Sequence, residues 1–104
     1  CDEMGIIVMD ELFDMWTVHK NSHDFALHFL DEWEKVTTRM VNKDYNHPCV
    51  AIYSIGNEIS ELGTTRGVEI SRMLCKKLHE LDDTRFTTCG VNGLNAAGAD
   101  YLKL

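Results

Sequence analysis

The chain has 104 residues, and its 44% hydrophobic and 26% charged residues are ordinary for a single globular domain with a modest core. An excess of 17 acidic over 10 basic side chains argues against nucleic acid or an anionic membrane surface as a partner, because both call for basic patches. No apolar run approaches the ~20 residues of a membrane span, and no leader with a basic start is visible. The 4 cysteines lack C-x-x-C spacing, so we expect free thiols in a reducing, cytoplasmic compartment.

The first part of the chain predicts a strand followed by a helix. The strand lies near 6–10, where an apolar run follows Gly5, a residue typical of a helix C-cap. The helix is predicted near 24–42, because apolar residues recur there at helical spacing. Ser22 or Asp24 is suited to be its N-cap.

The second part repeats this pattern. A strand is predicted near 50–55, where a short apolar run rich in β-branched residues is typical of a strand covered on both faces. A helix near 65–81 follows, with a threonine at 64 or 65 as its N-cap, and a third strand is predicted near 86–89. Residues 94–104 show no clear pattern.

The alternation of strands and helices with short connections predicts an α/β fold with a parallel sheet and right-handed crossovers. In such folds ligands meet the carboxyl ends of the strands. Asp10 and Glu11 end the first predicted strand, and Asn57 and Glu58 follow the second. The sequence therefore predicts a group of polar and acidic side chains at one edge of the sheet.

The stretch around the second strand resembles a motif of a known family. Asn46-His47-Pro48, the apolar strand and Ser54-Ile55-Gly56-Asn57-Glu58 are similar to the acid/base motif of glycoside hydrolase family 2, which includes β-galactosidases, β-glucuronidases and β-mannosidases. Val8-Met9-Asp10-Glu11 resembles the family's third barrel strand, and the residues from 81 to 87 resemble the entry to its fifth. The resemblance implies that residues 1–104 are one segment of a (β/α)8 TIM barrel, about strands 3 to 5, with no internal domain boundary.

The resemblance also implies roles for two residues of the motif. Glu58 would be the general acid/base of a retaining glycosidase, which protonates the glycosidic oxygen and later deprotonates water. Asn57 would hydrogen-bond the sugar 2-hydroxyl, a contact that strengthens in the transition state. The family's nucleophile is another Glu, which belongs to a later strand and is not among these residues.

Four further residues are candidates for substrate binding. Asp10 and Glu11 either line the sugar pocket or form an internal ion pair with a barrel residue from another strand. Asp14 and Trp16 lie in the following loop, where Trp16 either offers the sugar a stacking platform or pins the loop to the core. Some large bacterial β-galactosidases hold magnesium through a Glu-x-His after this strand, but this chain has Met15-Trp16-Thr17 there. No metal and no cofactor are therefore expected.

The resemblance implies that the parent protein is an O-glycosyl hydrolase of the β-galactosidase type, acting on terminal β-glycosidic bonds of a carbohydrate. The residues at 12–16 and 59–61 favour a galactosidase over a glucuronidase. The alternative is a non-catalytic α/β fragment that associates into a homodimer or larger assembly, because three of eight barrel strands leave two sheet edges unpaired. An unrelated doubly wound α/β domain is a third interpretation, but the chain has no Gly-rich phosphate loop.

Residues 1–104 expressed alone are predicted to be inactive. Glu58 would lack the second carboxyl group that a retaining enzyme needs about 5–5.5 Å away. Loss of the covalent step costs several orders of magnitude in rate. The purified chain should therefore show no hydrolysis of an aryl β-galactoside above background, and turnover that Glu58→Gln abolishes would contradict the prediction.

Overall fold

The structure, a computed structural model, describes residues 1–18 and 25–91. Within them lies a three-stranded parallel sheet with two helices and one 3-10 turn. In chain order these are β1 (Val8–Glu11), the 3-10 turn Phe25–His28, α1 (Phe29–Asp44), β2 (Val50–Asn57), α2 (Thr65–Leu81) and β3 (Phe86–Gly90). None of the described helices is long and apolar enough to cross a membrane.

The predicted α/β fold is confirmed, because β2 lies in the centre and pairs in parallel with β1 on one side and β3 on the other. The first strand begins two residues later than predicted, since a turn precedes it. In that turn Gly5 has a left-handed φ of 69°, and the Ile6 N–H donates to the carbonyl of Cys1. The proposed N-caps Ser22 and Asp24, and the segment 94–104, lie outside the described residues.

Each helix buries one face against the sheet. Thr64 caps α2 as predicted, because its hydroxyl accepts the N–H of Gly67 at 3.0 Å and so satisfies a free amide of the first turn. The buried residues of the two helices recur at helical spacing, as an amphipathic helix requires. They include Phe29, Met40 and Val41 of α1 and Ile70, Leu74 and Leu78 of α2.

The two faces of the sheet differ in their surroundings. Tyr53 and Ile55 of β2 are fully buried in the core between sheet and helices. Met9, Ile52 and Phe86 are laterally paired and therefore point to the opposite face. On that face Phe86 is 80% exposed and Met9 57% exposed. The described residues thus present one apolar sheet face that their own helices do not cover.

The Arg85 guanidinium joins several segments at the amino-terminal end of the sheet. Its Nη1 donates to the Asp82 carboxylate, and its Nε donates to the carbonyl of Val50 at the start of β2. Its Nη2 donates to three carbonyl oxygens at and after the end of α1, those of Asp44, Tyr45 and His47, at 3.1, 3.2 and 2.9 Å. One side chain therefore connects the end of α1, the turn and two strands.

Asp82 completes this group of contacts. Its Oδ1 accepts the N–H and hydroxyl of Thr84, as is typical of a turn that begins with Asp, and its Oδ2 accepts the Tyr53 hydroxyl at 3.0 Å. Burial alone would raise the pKa of the Asp82 carboxyl. The hydrogen bonds from Thr84, Arg85 and Tyr53 outweigh burial and lower that pKa to about 2.

A second carboxylate, that of Asp2, braces the same end of the sheet from outside. Its Oδ2 lies 2.7 Å from His47 Nδ1, and its Oδ1 accepts the N–H of Cys49 at 2.8 Å. Hydrogen bonds from Cys49 and His47 hold the pKa of this carboxyl well below its usual range. His47 therefore fixes the turn before β2, at the end of the sheet opposite Glu58.

The depressed pKa of Asp82 predicts a pH-dependent contribution to stability. A carboxyl whose pKa falls from 3.8 to about 2 on folding stabilises the fold fully above pH 3.8 and loses this contribution as the pH falls towards 2. Asp82→Asn should therefore lower the free energy of unfolding by about 2 kcal/mol at pH 7, with a difference that shrinks below pH 4. Denaturant unfolding of the protein that carries this chain, at several pH values, measures it.

The matched control for this prediction is Asp83→Asn. Asp83 is the next residue in the same turn, but it is exposed. Its replacement should change the free energy of unfolding little at any pH, because exposed charges contribute little. An Asp82→Asn protein with the same pH dependence as the unmodified protein would contradict the assignment.

Candidate active site

The candidate site lies at the carboxyl-terminal edge of the sheet. Because the strands are parallel, β1 and β2 end at this edge, with Glu11 as the last residue of β1 and Glu58 directly after β2. Gly90 ends β3 beside them. The predicted placement of Glu11 and Glu58 on the same edge is therefore confirmed.

Glu58 is exposed at this edge, and its backbone adopts an unusual conformation. Its φ is 48°, in the left-handed region that non-glycine residues rarely occupy. Its N–H donates to the carbonyl of Gly90 at 2.8 Å, which fixes the turn against β3. A left-handed residue costs roughly 1–2 kcal/mol, and such strain is concentrated at functional sites.

Asn57 is fixed between the two neighbouring segments. Its N–H donates to the carbonyl of Phe13 at 3.2 Å, and it pairs with Gly90 across the sheet. A side chain at position 90 would collide with it, because a Cβ there would lie 2.7 Å from Asn57 Oδ1. Gly90 therefore leaves the space that the Asn57 amide occupies.

Glu11 and Asp10 point to opposite faces of β1. Glu11 accepts the Ser54 hydroxyl at 2.8 Å on the face not covered by helices. Asp10 forms a 2.6 Å ion pair with Lys43 of α1 on the other face. Of the two interpretations of Asp10, the structure shows the internal ion pair, although its partner lies on α1 and not on another strand, and it places Asp10 apart from Glu11.

A second carboxyl group, that of Asp44, lies beside Asp10 and is 4% exposed. Burial raises the pKa of the Asp44 carboxyl, and its hydrogen bond with Asp10 raises it further. For Asp10, burial opposes ionisation, but the hydrogen bonds with Asp44 and Lys43 outweigh it and lower the pKa. The pKa values of the two carboxyl groups are therefore displaced in opposite directions, and Asp10 ionises before Asp44.

Trp16 lies in the core. It is 0% exposed, and its indole N–H donates to the carbonyl of Ile55 at 3.1 Å. Of the two interpretations of this residue, the structure places it as the anchor that pins the loop to β2. Asp14, two residues before it, is exposed.

Glu61 is a residue of the site whose role the sequence does not indicate. It is only 5% exposed, and its Oε1 accepts the N–H and hydroxyl of Thr17 and the N–H of Val18. Nothing in the sequence of the loop indicates that this glutamate is buried, because its neighbour Ser60 is also polar. Only the folded structure shows that this carboxylate connects two loops.

Within residues 1–18 and 25–91, no group of three or more His, Cys, Asp and Glu side chains is arranged to hold a metal ion. Thr17 stands where the Glu-x-His motif discussed above has its His, and its hydroxyl donates to Glu61. The expectation of no metal and no cofactor stays a prediction.

Parallel β/α units with an exposed glutamate and an asparagine at the carboxyl-terminal edge place the chain among α/β folds, which carry their sites at this edge. The model of one family, described as glycosyl hydrolases family 2, TIM barrel domain, matches residues 1–103. The chain therefore belongs to glycosyl hydrolase family 2, and its sheet and helices are part of the TIM barrel domain of that family.

Individual relatives agree with the family. A beta-galactosidase of Bacteroides ovatus is 49% identical over 61 residues, which cover 59% of this chain and 7% of that protein. A putative beta-glucuronidase of Formosa agariphila is 35% identical over 92 residues, or 86% of this chain and 8% of that protein. A solved family 2 glycosyl hydrolase of Bacteroides cellulosilyticus matches with a TM-score of 0.88 and 41% identity, over 93% of this chain and 12% of that one. The chain thus spans 7 to 8% of the two curated relatives.

The close approach of α2 to the Glu61 loop makes a prediction about Gly67. A Cβ at this position would overlap the carbonyl oxygen of Glu61, which is backbone and gives way only if the loop moves. Gly67→Ala should therefore destabilise the protein by about 1–3 kcal/mol, although alanine is the better helix former. Thermal or denaturant unfolding measures the loss. Arg66→Ala, at an exposed position of the same turn, is the control and should be close to neutral.

Proposed function

We propose that the protein that carries this chain is a retaining glycoside hydrolase of the β-galactosidase type, which hydrolyses terminal β-glycosidic bonds. The observation that carries the proposal is the position of Glu58. It lies at the carboxyl-terminal edge of the central strand, exposed and held in a left-handed turn, in a chain of glycosyl hydrolase family 2. Active sites of TIM-barrel enzymes lie at this edge.

In this proposal Glu58 is the general acid/base. Its carboxyl group gives a proton to the glycosidic oxygen as the bond to the leaving group breaks, while a carboxylate nucleophile from a later strand attacks the anomeric carbon. Glu58, now ionised, then takes a proton from water, and the hydroxide formed displaces the nucleophile. The sugar is released with the configuration it had, because two inversions have occurred.

The neighbouring side chains have supporting roles in the proposal. The Asn57 amide, beside which Gly90 leaves room, is proposed to donate to the sugar 2-hydroxyl. Glu11 and Asp14 are exposed and are proposed to hydrogen-bond sugar hydroxyls. Asp10 and Trp16 support the site indirectly, because their contacts with Lys43 and Ile55 hold β1 and the loop after it in place.

A β-galactoside is the proposed substrate. The relative from Bacteroides ovatus is named a beta-galactosidase, and it is more similar in sequence than the relative named a putative beta-glucuronidase. The chain has a net charge of −7, which does not favour an acidic sugar over a neutral one. A β-glucuronide is therefore the comparison substrate in the test.

A second proposal concerns the segment by itself. The apolar sheet face that carries Met9 and Phe86 is exposed, and β1 and β3 each have one edge without a partner strand among the described residues. Expressed alone, the segment is proposed to associate with copies of itself, because burial of this face is favourable by ~25 cal/mol per Å². It is also proposed to have no activity, because the second carboxyl group of a retaining enzyme belongs to a later strand. Sedimentation at micromolar concentration tests this, and a monomer would contradict it.

The test of Glu58 uses substrates with different leaving groups. In the whole protein, Glu58→Gln should lower kcat/KM for an alkyl β-galactoside by about 10²–10⁴-fold, the usual contribution of general acid catalysis. The loss should be much smaller for a nitrophenyl β-galactoside, because nitrophenolate leaves with little help from a proton. Steady-state kinetics on both substrates measures the difference.

Glu69→Gln is the control for this test, because Glu69 is exposed on α2 and the change is the same in charge and size. This change should leave kcat/KM unchanged for both the alkyl and the nitrophenyl β-galactoside. An equal loss on both substrates in Glu58→Gln would contradict the acid/base assignment, as would full activity on the alkyl substrate.

A further inference from the structure

Two loops meet at the candidate site. The β1 loop is the described part of the connection after β1, residues 12–18, and the acid/base loop, residues 58–64, follows β2 and contains Glu58. The first part of the β1 loop is held by β2, because the carbonyl of Phe13 accepts the Asn57 N–H and the Trp16 indole is fixed in the core. Its last two residues contact the acid/base loop instead.

Glu61 makes that contact through one carboxylate oxygen. Its Oε1 accepts the N–H of Thr17 at 2.7 Å, the hydroxyl of Thr17 at 2.6 Å and the N–H of Val18 at 2.9 Å. Hydrogen bonds to an ionised carboxylate are about twice as strong as those between neutral groups. Three donors on one oxygen therefore fix the end of the β1 loop to a single side chain.

The acid/base loop has anchors of its own at the position of Glu61. The carbonyl of Glu61 accepts both the N–H and the hydroxyl of Thr64, the residue that caps α2. Gly67 packs directly against this carbonyl, and Ile59 is buried in the core. The backbone of Glu61 is therefore held by α2, whereas Thr17 and Val18 depend on its side chain.

The other carboxylate oxygen of Glu61 is costly to the fold. Oε2 is buried, and within the described residues it has no hydrogen-bond partner. A buried polar atom without a partner costs about as much free energy as a hydrogen bond contributes, so Oε2 offsets part of what the three bonds to Oε1 contribute.

We propose that Glu61 is a positioning residue, which fixes the β1 loop beside Glu58 and thereby sets the affinity for the sugar. The proposal rests on the glycosidase function proposed above. The residues that Glu61 holds, Thr17 and Val18, begin three positions after Asp14, which is exposed at the same edge as Glu58. Removal of the Glu61 carboxylate leaves three donors without their acceptor and releases the end of this loop, while Glu58 keeps its own contact with Gly90.

The test combines hydrogen exchange with kinetics on the whole protein. In Glu61→Ala the amides of Thr17 and Val18 should exchange faster, because they lose their acceptor. KM for a β-galactoside should rise about tenfold or more, with kcat changed much less, since a misplaced loop weakens substrate binding. The fall in kcat/KM should be the same for alkyl and nitrophenyl leaving groups, because the sugar and not the leaving group is affected.

Conservative variants separate a positioning role from a role in folding. Glu61→Gln keeps one amide oxygen as an acceptor and should recover part of the substrate affinity. Thr17→Val removes only the hydroxyl and should raise KM slightly, and its effect should disappear when Glu61→Ala is already present. If Glu61→Ala does not fold, the Thr17→Val and Glu61→Gln proteins give the same test with smaller effects.

The possible failures are distinguishable. Faster exchange at Thr17 and Val18 with an unchanged KM would overturn the proposal, as would slow exchange in Glu61→Ala. A loss in Glu61→Ala that depends on the leaving group would also overturn it, since Glu61 would then act through Glu58. Glu58→Gln is measured alongside, and if it shows no leaving-group dependence, the acid/base assignment fails whatever the result at Glu61.

Discussion

The buried ion pair between Arg85 and Asp82 holds the amino-terminal end of this segment together. The Arg85 side chain is 9% exposed and that of Asp82 is fully buried, so neither charge is balanced by water. Both are satisfied by hydrogen bonds within the protein instead, because Arg85 also donates to a carbonyl oxygen at the end of α1 and Asp82 accepts the hydroxyls of Tyr53 and Thr84. Removal of one member of such a pair costs far more than the pair itself contributes, because it leaves the other charge buried alone.

The two ends of the sheet use their polar groups differently. At the amino-terminal end, the carboxylates of Asp82 and Asp2 accept hydrogen bonds on both oxygens, and their pKa values are lowered. At the carboxyl-terminal end, Glu58 is exposed. This division is the general one for TIM barrels, where one end supports stability and the other carries the chemistry. Glu61 connects the two requirements, because its backbone belongs to the α2 cap and its side chain holds the β1 loop.

The sequence predicts the architecture well and the orientation of individual side chains poorly. Apolar runs and helical spacing located every described strand and helix, because these patterns reflect burial on one face or both. The orientations of the Trp16 and Asp10 side chains depend on their contacts with Ile55 and Lys43 respectively, which are distant in sequence. Glu61 was missed for the same reason, since nothing local indicates that a loop glutamate is buried.

The left-handed turn at Glu58 has a consequence for the evolution of this segment. Glycine adopts a φ of 48° without strain, and asparagine does so more readily than glutamate. A selection for thermostability alone would therefore favour the replacement of Glu58 by either residue and would remove the carboxyl group. Survival of a glutamate at such a position requires selection that acts on what the side chain does. A library screened in parallel for stability and for turnover would show this as opposite preferences at a single codon.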